Sequence, residues 1–83
     1  MNPQWFKYKL RIRELREENH LTQQQVSDEL LIHQTAYSKY EMEENEISID
    51  KLVYLAHLYG TSVDYLLTLT DVKEDYPPTK RKY

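Results

Sequence analysis

The sequence predicts an all-α domain, a compact unit of five short helices, on three observations. The chain has 83 residues with one glycine, Gly60, and prolines only at positions 3, 77 and 78, so its interior is nearly free of helix breakers. Apolar residues recur at three- and four-residue spacings through most of that interior. Hydroxyl residues of the kind that cap helices stand just before several of these runs. A chain of this length suffices for one small core and not for two.

Taken in order, Asn2 and Pro3 form an N-cap and first helical position, and Trp5, Tyr8, Ile12 and Leu15 share one face of a helix ending near Asn19. Thr22 caps a second helix, Gln23 to Leu30, with Val26 and Leu30 on its inner face. A break follows around residues 31–33, because Ile32 falls out of that stripe. Ala36, Tyr37 and Tyr40 mark a third short helix. Ser48 caps the fourth, in which Ile49, Leu52, Leu55, Ala56 and Tyr59 are in phase, Asp50 favours the positive end of the dipole, and Gly60 is the stop. Ser62 caps a last helix from Val63 to about Leu67. The domain is expected over residues 1–70. Residues 71–83, "DVKEDYPPTKRKY", lack periodicity and are expected to be a C-terminal tail, either disordered or packed on the surface.

With 40% apolar and 30% charged residues, the composition is that of a folded globular protein. The absence of cysteine excludes disulfides and thiolate metal sites. No segment has the apolar run of a signal peptide or membrane span, so the protein is expected to be cytoplasmic, with no membrane partner. The net charge of −3 conceals an uneven distribution. Residues 7–16 hold five bases and one acid, whereas residues 41–50 hold five acids and no base.

Helices two and three, joined by about three residues, give a helix-turn-helix arrangement. The stretch "LTQQQVSDELLIHQTAYSKYE", with "IRELREEN" before it and "SIDKLVYLAHLYGTSVDYLL" after it, resembles the phage-repressor-like, Cro/C1-type or xenobiotic-response-element, family of helix-turn-helix transcriptional regulators. The resemblance runs from about Ile12 to Leu67 and implies a lambda-repressor-like fold. It also implies that helix three enters the major groove of a double-stranded DNA operator.

On that reading Gln34, Thr35 and Ser38 face base edges, with Gln34 suited to bidentate pairing with adenine. Gln23 is expected to bond a phosphate and brace Gln34. Lys39, Arg11 and Arg13 are the other expected phosphate contacts, with Lys80, Arg81 and Lys82 as an electrostatic aid. Arg16 and Glu41 match a structural ion pair between helices one and three. Tyr37 and Tyr40 are expected to pack inward with their hydroxyls at the rim. A homodimer on paired half-sites is implied, with Tyr65, Leu66, Leu69 and Tyr76–Pro78 as its surface.

Three features depart from the family pattern. Leu31 stands at the usual turn glycine, so either helix two extends or Leu31 takes a left-handed backbone. The small residue of helix two is Ser27. The loop after "YE", commonly glycine-containing and basic, is "MEENEI". This acidity, with eight tyrosines, keeps a second class of function open: a helical protein-interaction module, antirepressor or antitoxin-like, without DNA binding. His20, His33 and His57 lack metal-ligand spacing, and no nucleophile or acid/base pair is evident. Neither metal, cofactor, small-molecule ligand nor enzymatic activity is expected.

Overall fold

Five helices succeed one another in the computed structural model, which describes residues 8–76: α1 Ile12–Glu18, α2 Gln23–Glu29, α3 Gln34–Glu41, α4 Ile49–Tyr59 and α5 Val63–Leu66. No strand occurs among the described residues. α2 starts on a full capping box. Thr22 Oγ1 accepts from the Gln25 amide at 3.0 Å, and Gln25 Oε1 accepts from the Thr22 amide at 2.8 Å. Ser62 caps α5 by accepting from the Tyr65 amide. Ser48 holds the N-cap position of α4 with extended backbone, but its hydroxyl makes no cap bond.

The first helix begins later than its apolar spacing predicts. Residues 8–11 are not helical, because that segment is bonded to the far end of the chain. The Arg11 amide donates to Leu66 O at 2.9 Å, and Thr68 Oγ1 donates to the carbonyl of Lys9. Tyr8 is therefore half-buried from a non-helical segment, not from a helix face. Asn2, Pro3 and Trp5 lie outside the described residues.

Helix ends show one recurring solution. Each helix terminates in a left-handed residue: His20, Leu31, Glu43, Gly60 and Thr68, with φ between 57° and 64°. The amide of that residue and the next bond back to the last turn, as in Ile32 N to Ser27 O and Leu31 N to Asp28 O, which is the Schellman arrangement. Orphan carbonyls are thereby satisfied without breaking the chain direction. Only Gly60 adopts this backbone freely; the four side-chain-bearing residues carry a strain of about 1–2 kcal/mol each. Of the two possibilities for the α2–α3 turn, the left-handed one is realised, by Leu31.

The core joins all five helices through Ile12 and Leu15 of α1, Val26 of α2, Tyr37 of α3, Leu55 of α4 and Leu66 of α5, all essentially inaccessible. Each such apolar side chain contributes roughly 1.5–3 kcal/mol by leaving water. Ser27 is also fully buried and is satisfied by donating to Gln24 O, so a small residue lets α2 approach its neighbours closely. Ile49 does not join this core. It is 80% exposed at the first turn of α4, while Ile47 just before the helix packs against the core in its place.

Residues 71–76 lie on the surface, fastened at several points. Arg11 Nη2 donates to Asp71 at 2.6 Å and to Thr70 O at 3.2 Å. Thr61 Oγ1 donates to Lys73 O, Lys73 pairs with Glu18 at 3.1 Å, and Tyr76 OH donates to Asp64. Tyr65 and Leu66, expected on a dimer surface, are buried in the core instead, while Leu69 and Tyr76 are exposed. Pro77, Pro78, Lys80, Arg81 and Lys82 lie outside the described residues.

Candidate nucleic-acid interface

α3 is amphipathic in an unusual sense, with polar residues on both sides. Gln34, Thr35 and Lys39 are exposed and Ser38 is half-buried, while Tyr37, Tyr40 and Glu41 turn inward. The N-terminus of α3 meets that of α2, because the Leu31 turn folds the two helices against each other. This brings Gln23 and Gln34 together: Gln34 Nε2 donates to Gln23 Oε1 at 3.3 Å.

Behind the two glutamines lies the ion pair of Arg16 and Glu41. Arg16 Nε donates to Glu41 Oε2 at 2.6 Å and Nη2 donates to Oε1 at 3.1 Å, a bidentate pairing of side chains only 12% and 3% exposed. Arg16 Nη1 also donates to Leu21 O at 2.9 Å, tying α1 to the start of α2. Gln23 Nε2 donates to Glu41 Oε1 at 3.0 Å. Arg16, Glu41, Gln23 and Gln34 thus form one continuous line of hydrogen bonds from the interior to the surface.

Burial opposes the charge of Glu41, but hydrogen bonds led by that from Arg16 outweigh it and hold the carboxyl below its ordinary value. Two phenols stand near this carboxylate. Tyr37 is fully inaccessible, its hydroxyl included, which corrects the expectation of a hydroxyl at the rim. Burial first, then the Glu41 carboxylate, as a hydrogen-bond acceptor and then as a charge, pushes its ionisation far up. Burial and the charge of Glu41 push Tyr59 up to about 12. Among the described residues neither hydroxyl has a hydrogen-bond partner of good geometry, although both feel the carboxylate.

The basic residues of the first helix separate in the structure. Arg13 is exposed, in a loose i,i+4 pair with Glu17 at 3.6 Å. Arg11, expected to reach phosphate, is committed elsewhere: its guanidinium bonds Asp71 and Thr70 O and lies 4.2 Å over the Tyr65 ring. The arm that leads into α1 directs Arg11 toward the C-terminal strip, an arrangement with no local sequence signal. The acidic loop begins beside the same helix. A shallow cleft between α1 and the end of α3 is lined by Lys9 and Arg13 together with Glu41 and Glu43.

His33 occupies the N-cap of α3, exposed and without a cap hydrogen bond from its side chain. Among the described residues no group of His, Asp and Glu side chains has metal-site geometry. Nor is any described helix long and apolar enough to cross a membrane. The Gln25 half of the capping box, which satisfies the Thr22 amide at the start of α2 next to Gln23, is a contributor that sequence reasoning missed. Its signal was present as T-x-x-Q at residues 22–25.

The sequence pattern of the helix-turn-helix family matches residues 12–66. The chain is also 43% identical over 75 residues to YobD of Bacillus subtilis (strain 168), described as an uncharacterized HTH-type transcriptional regulator. That alignment covers 90% of this chain and 65% of the relative, so the chain spans somewhat under two thirds of the length of that curated protein. No solved structure matches.

Proposed function

The chain belongs to the Cro/C1-type helix-turn-helix family of transcriptional regulators, and from that premise we propose that it is a repressor whose α3 reads the major groove of a double-stranded operator. The observation that carries this reading is the junction of Gln23 and Gln34 at the exposed meeting point of α2 and α3, supported from behind by Glu41 and Arg16. An amide held in place at a helix N-terminus can meet a base edge with little loss of side-chain freedom. Gln34, Thr35 and Ser38 face the bases. Gln23, Lys39 and Arg13 meet phosphates, and Arg11 is left out of this set because its guanidinium is engaged within the fold.

Two copies bind half-sites about one helical turn apart. Anisotropy titrations with random-sequence duplexes at two salt concentrations test the reading. Saturable, salt-sensitive binding is expected, with one sequence enriched on selection. Gln34→Ala should change the enriched sequence, and Lys39→Ala should weaken binding to all sequences and reduce the salt slope by about one. Silence of both changes would falsify the assignment.

A protein-interaction module is the other reading, favoured by the exposed apolar residues Ile49 and Val53 on α4. The same titration separates the two, since an interaction module shows no sequence enrichment.

A further inference from the structure

We infer that Glu41 is a positioning residue that fixes which atoms of Gln34 face DNA, because the hydrogen bonds from Arg16 through Glu41 and Gln23 to Gln34 can run in only one direction. The inference rests on the reading above, in which Gln34 meets a base. A guanidinium has donors and no acceptor; an ionised carboxylate has acceptors and no donor. Arg16 therefore takes both Glu41 oxygens, at 2.6 and 3.1 Å. Gln23 has an amide with two different ends, and only its amino end can turn to Glu41, at 3.0 Å. Its carbonyl is the end left for Gln34, and Gln34 Nε2 donates to it.

Gln34 then keeps its carbonyl Oε1 and the second hydrogen of Nε2 for a ligand. Turning either amide over would set carbonyl oxygen against carbonyl or carboxylate oxygen, losing a hydrogen bond and adding repulsion. A buried charge thus dictates the donor and acceptor order of an exposed side chain two links away. One acceptor beside one donor matches the N6 amino group and N7 of adenine. The reversed amide would offer a donor where the amino group lies and an acceptor where N7 lies, which suits O4 of thymine and repels N7 of either purine.

Selection from a pool of random-sequence duplexes by the full chain tests this. The unmodified protein is expected to enrich adenine at one position by about tenfold or more, and Gln34→Ala to lose that preference. In Glu41→Gln the new amide can set either its oxygen or its amino end toward Gln23, with one Arg16 donor left unpaired in each case, so Gln23 and Gln34 are no longer held in one orientation. The adenine preference at that position should fall, with thymine gaining, while the other positions of the motif keep their bases. Gln23→Met leaves the ion pair whole and should bring the four bases at that position to near equality, with unchanged helical circular dichroism. If Glu41→Gln does not fold, Gln23→Met decides alone. Retention of the adenine preference in a folded Glu41→Gln or Gln23→Met variant, with Gln34→Ala still sensitive, overturns the inference and leaves the DNA reading standing. Failure of the unmodified protein to enrich any sequence overturns both.

Discussion

The two ends of α1 each carry an arginine 2.6 Å from a carboxylate, yet they are different kinds of contact. Arg16 and Glu41 are 12% and 3% exposed; at the other end, Arg11 is 16% exposed but its partner Asp71 is 95% exposed. Distance alone would rank them equal. Glu41 has surrendered its water and depends on its partners, whereas Asp71 keeps its hydration and can be lost with little consequence. The buried end also does something the exposed end does not, since through Gln23 it reaches the face of α3. Hydration of the acid, not proximity of the base, decides which pair organises the molecule.

The largest effect should therefore come from Glu41→Ala, which leaves Arg16 and the amino end of Gln23 without their acceptor. A loss of about 3 kcal/mol in urea unfolding at neutral pH is expected. The pH profile should carry the same signature. The folded state holds Glu41 below its ordinary 4.5, so its contribution is complete above that pH and fades as the pH falls below it. Glu41→Ala should flatten this part of the acid limb. An unaltered acid limb would show that the buried pair is no different from the exposed one.

A smaller effect, of opposite sign, is expected at the α2–α3 turn, where exposure brings no burial to offset strain. Leu31 is 91% exposed at φ 58°. Its side chain gains almost nothing from packing while its backbone is held in a region suited to glycine. Leu31→Gly should raise stability by about 1 kcal/mol, the relief of strain exceeding the added chain entropy of glycine. A thermal melt checks the sign, and destabilisation would mean that the leucine makes a compensating contact.

Much of this arrangement was legible in the sequence, and the failures have physical causes. The starts of α2, α3, α4 and α5 were visible because cap positions and apolar stripes are local. The stop at Gly60 was visible because glycine announces a left-handed backbone. His20, Glu43 and Thr68 do the same work without announcing it, since other residues adopt this conformation when backbone bonds hold them there. The start of α1 was misplaced because a bond from Arg11 to Leu66 overrides a helical periodicity. Likewise, the commitment of Arg11 to Asp71 and Tyr65 is a contact across some sixty residues, and no local pattern encodes it. The glutamine junction was anticipated from the family resemblance; the hydrogen bond from Gln23 to Glu41, which connects it to the ion pair, was not.

On the buried side, Tyr59 offers a finer measure. Its hydroxyl is inaccessible and lacks a hydrogen-bond partner among the described residues, so Tyr59→Phe should be neutral or stabilising by up to about 1 kcal/mol at neutral pH. The alkaline limb is the sharper readout. An unfolded tyrosine ionises near 10.0 and the folded one near 12, so stability is full below pH 10 and is lost as the pH rises between those values. Tyr59→Phe should shallow that loss without removing it, because Tyr37 is shifted in the same direction. Equal alkaline limbs for the two proteins would place the Tyr59 hydroxyl in water.

The smallest effect should come from Asp71→Ala, and its smallness is what gives the comparison its content. Arg11 would retain the Thr70 carbonyl and the Tyr65 ring, and its own backbone amide would still hold Leu66, so the strip beyond α5 has reasons to stay in place. The melting temperature should move by less than about 2 °C, and the difference should vanish in high salt, where an exposed pair is screened. Suppose instead that Asp71→Ala unfolded the protein as readily as Glu41→Ala. Exposure would then have failed as the criterion, and the C-terminal strip would have to be counted as part of the folded domain rather than as a segment resting on it.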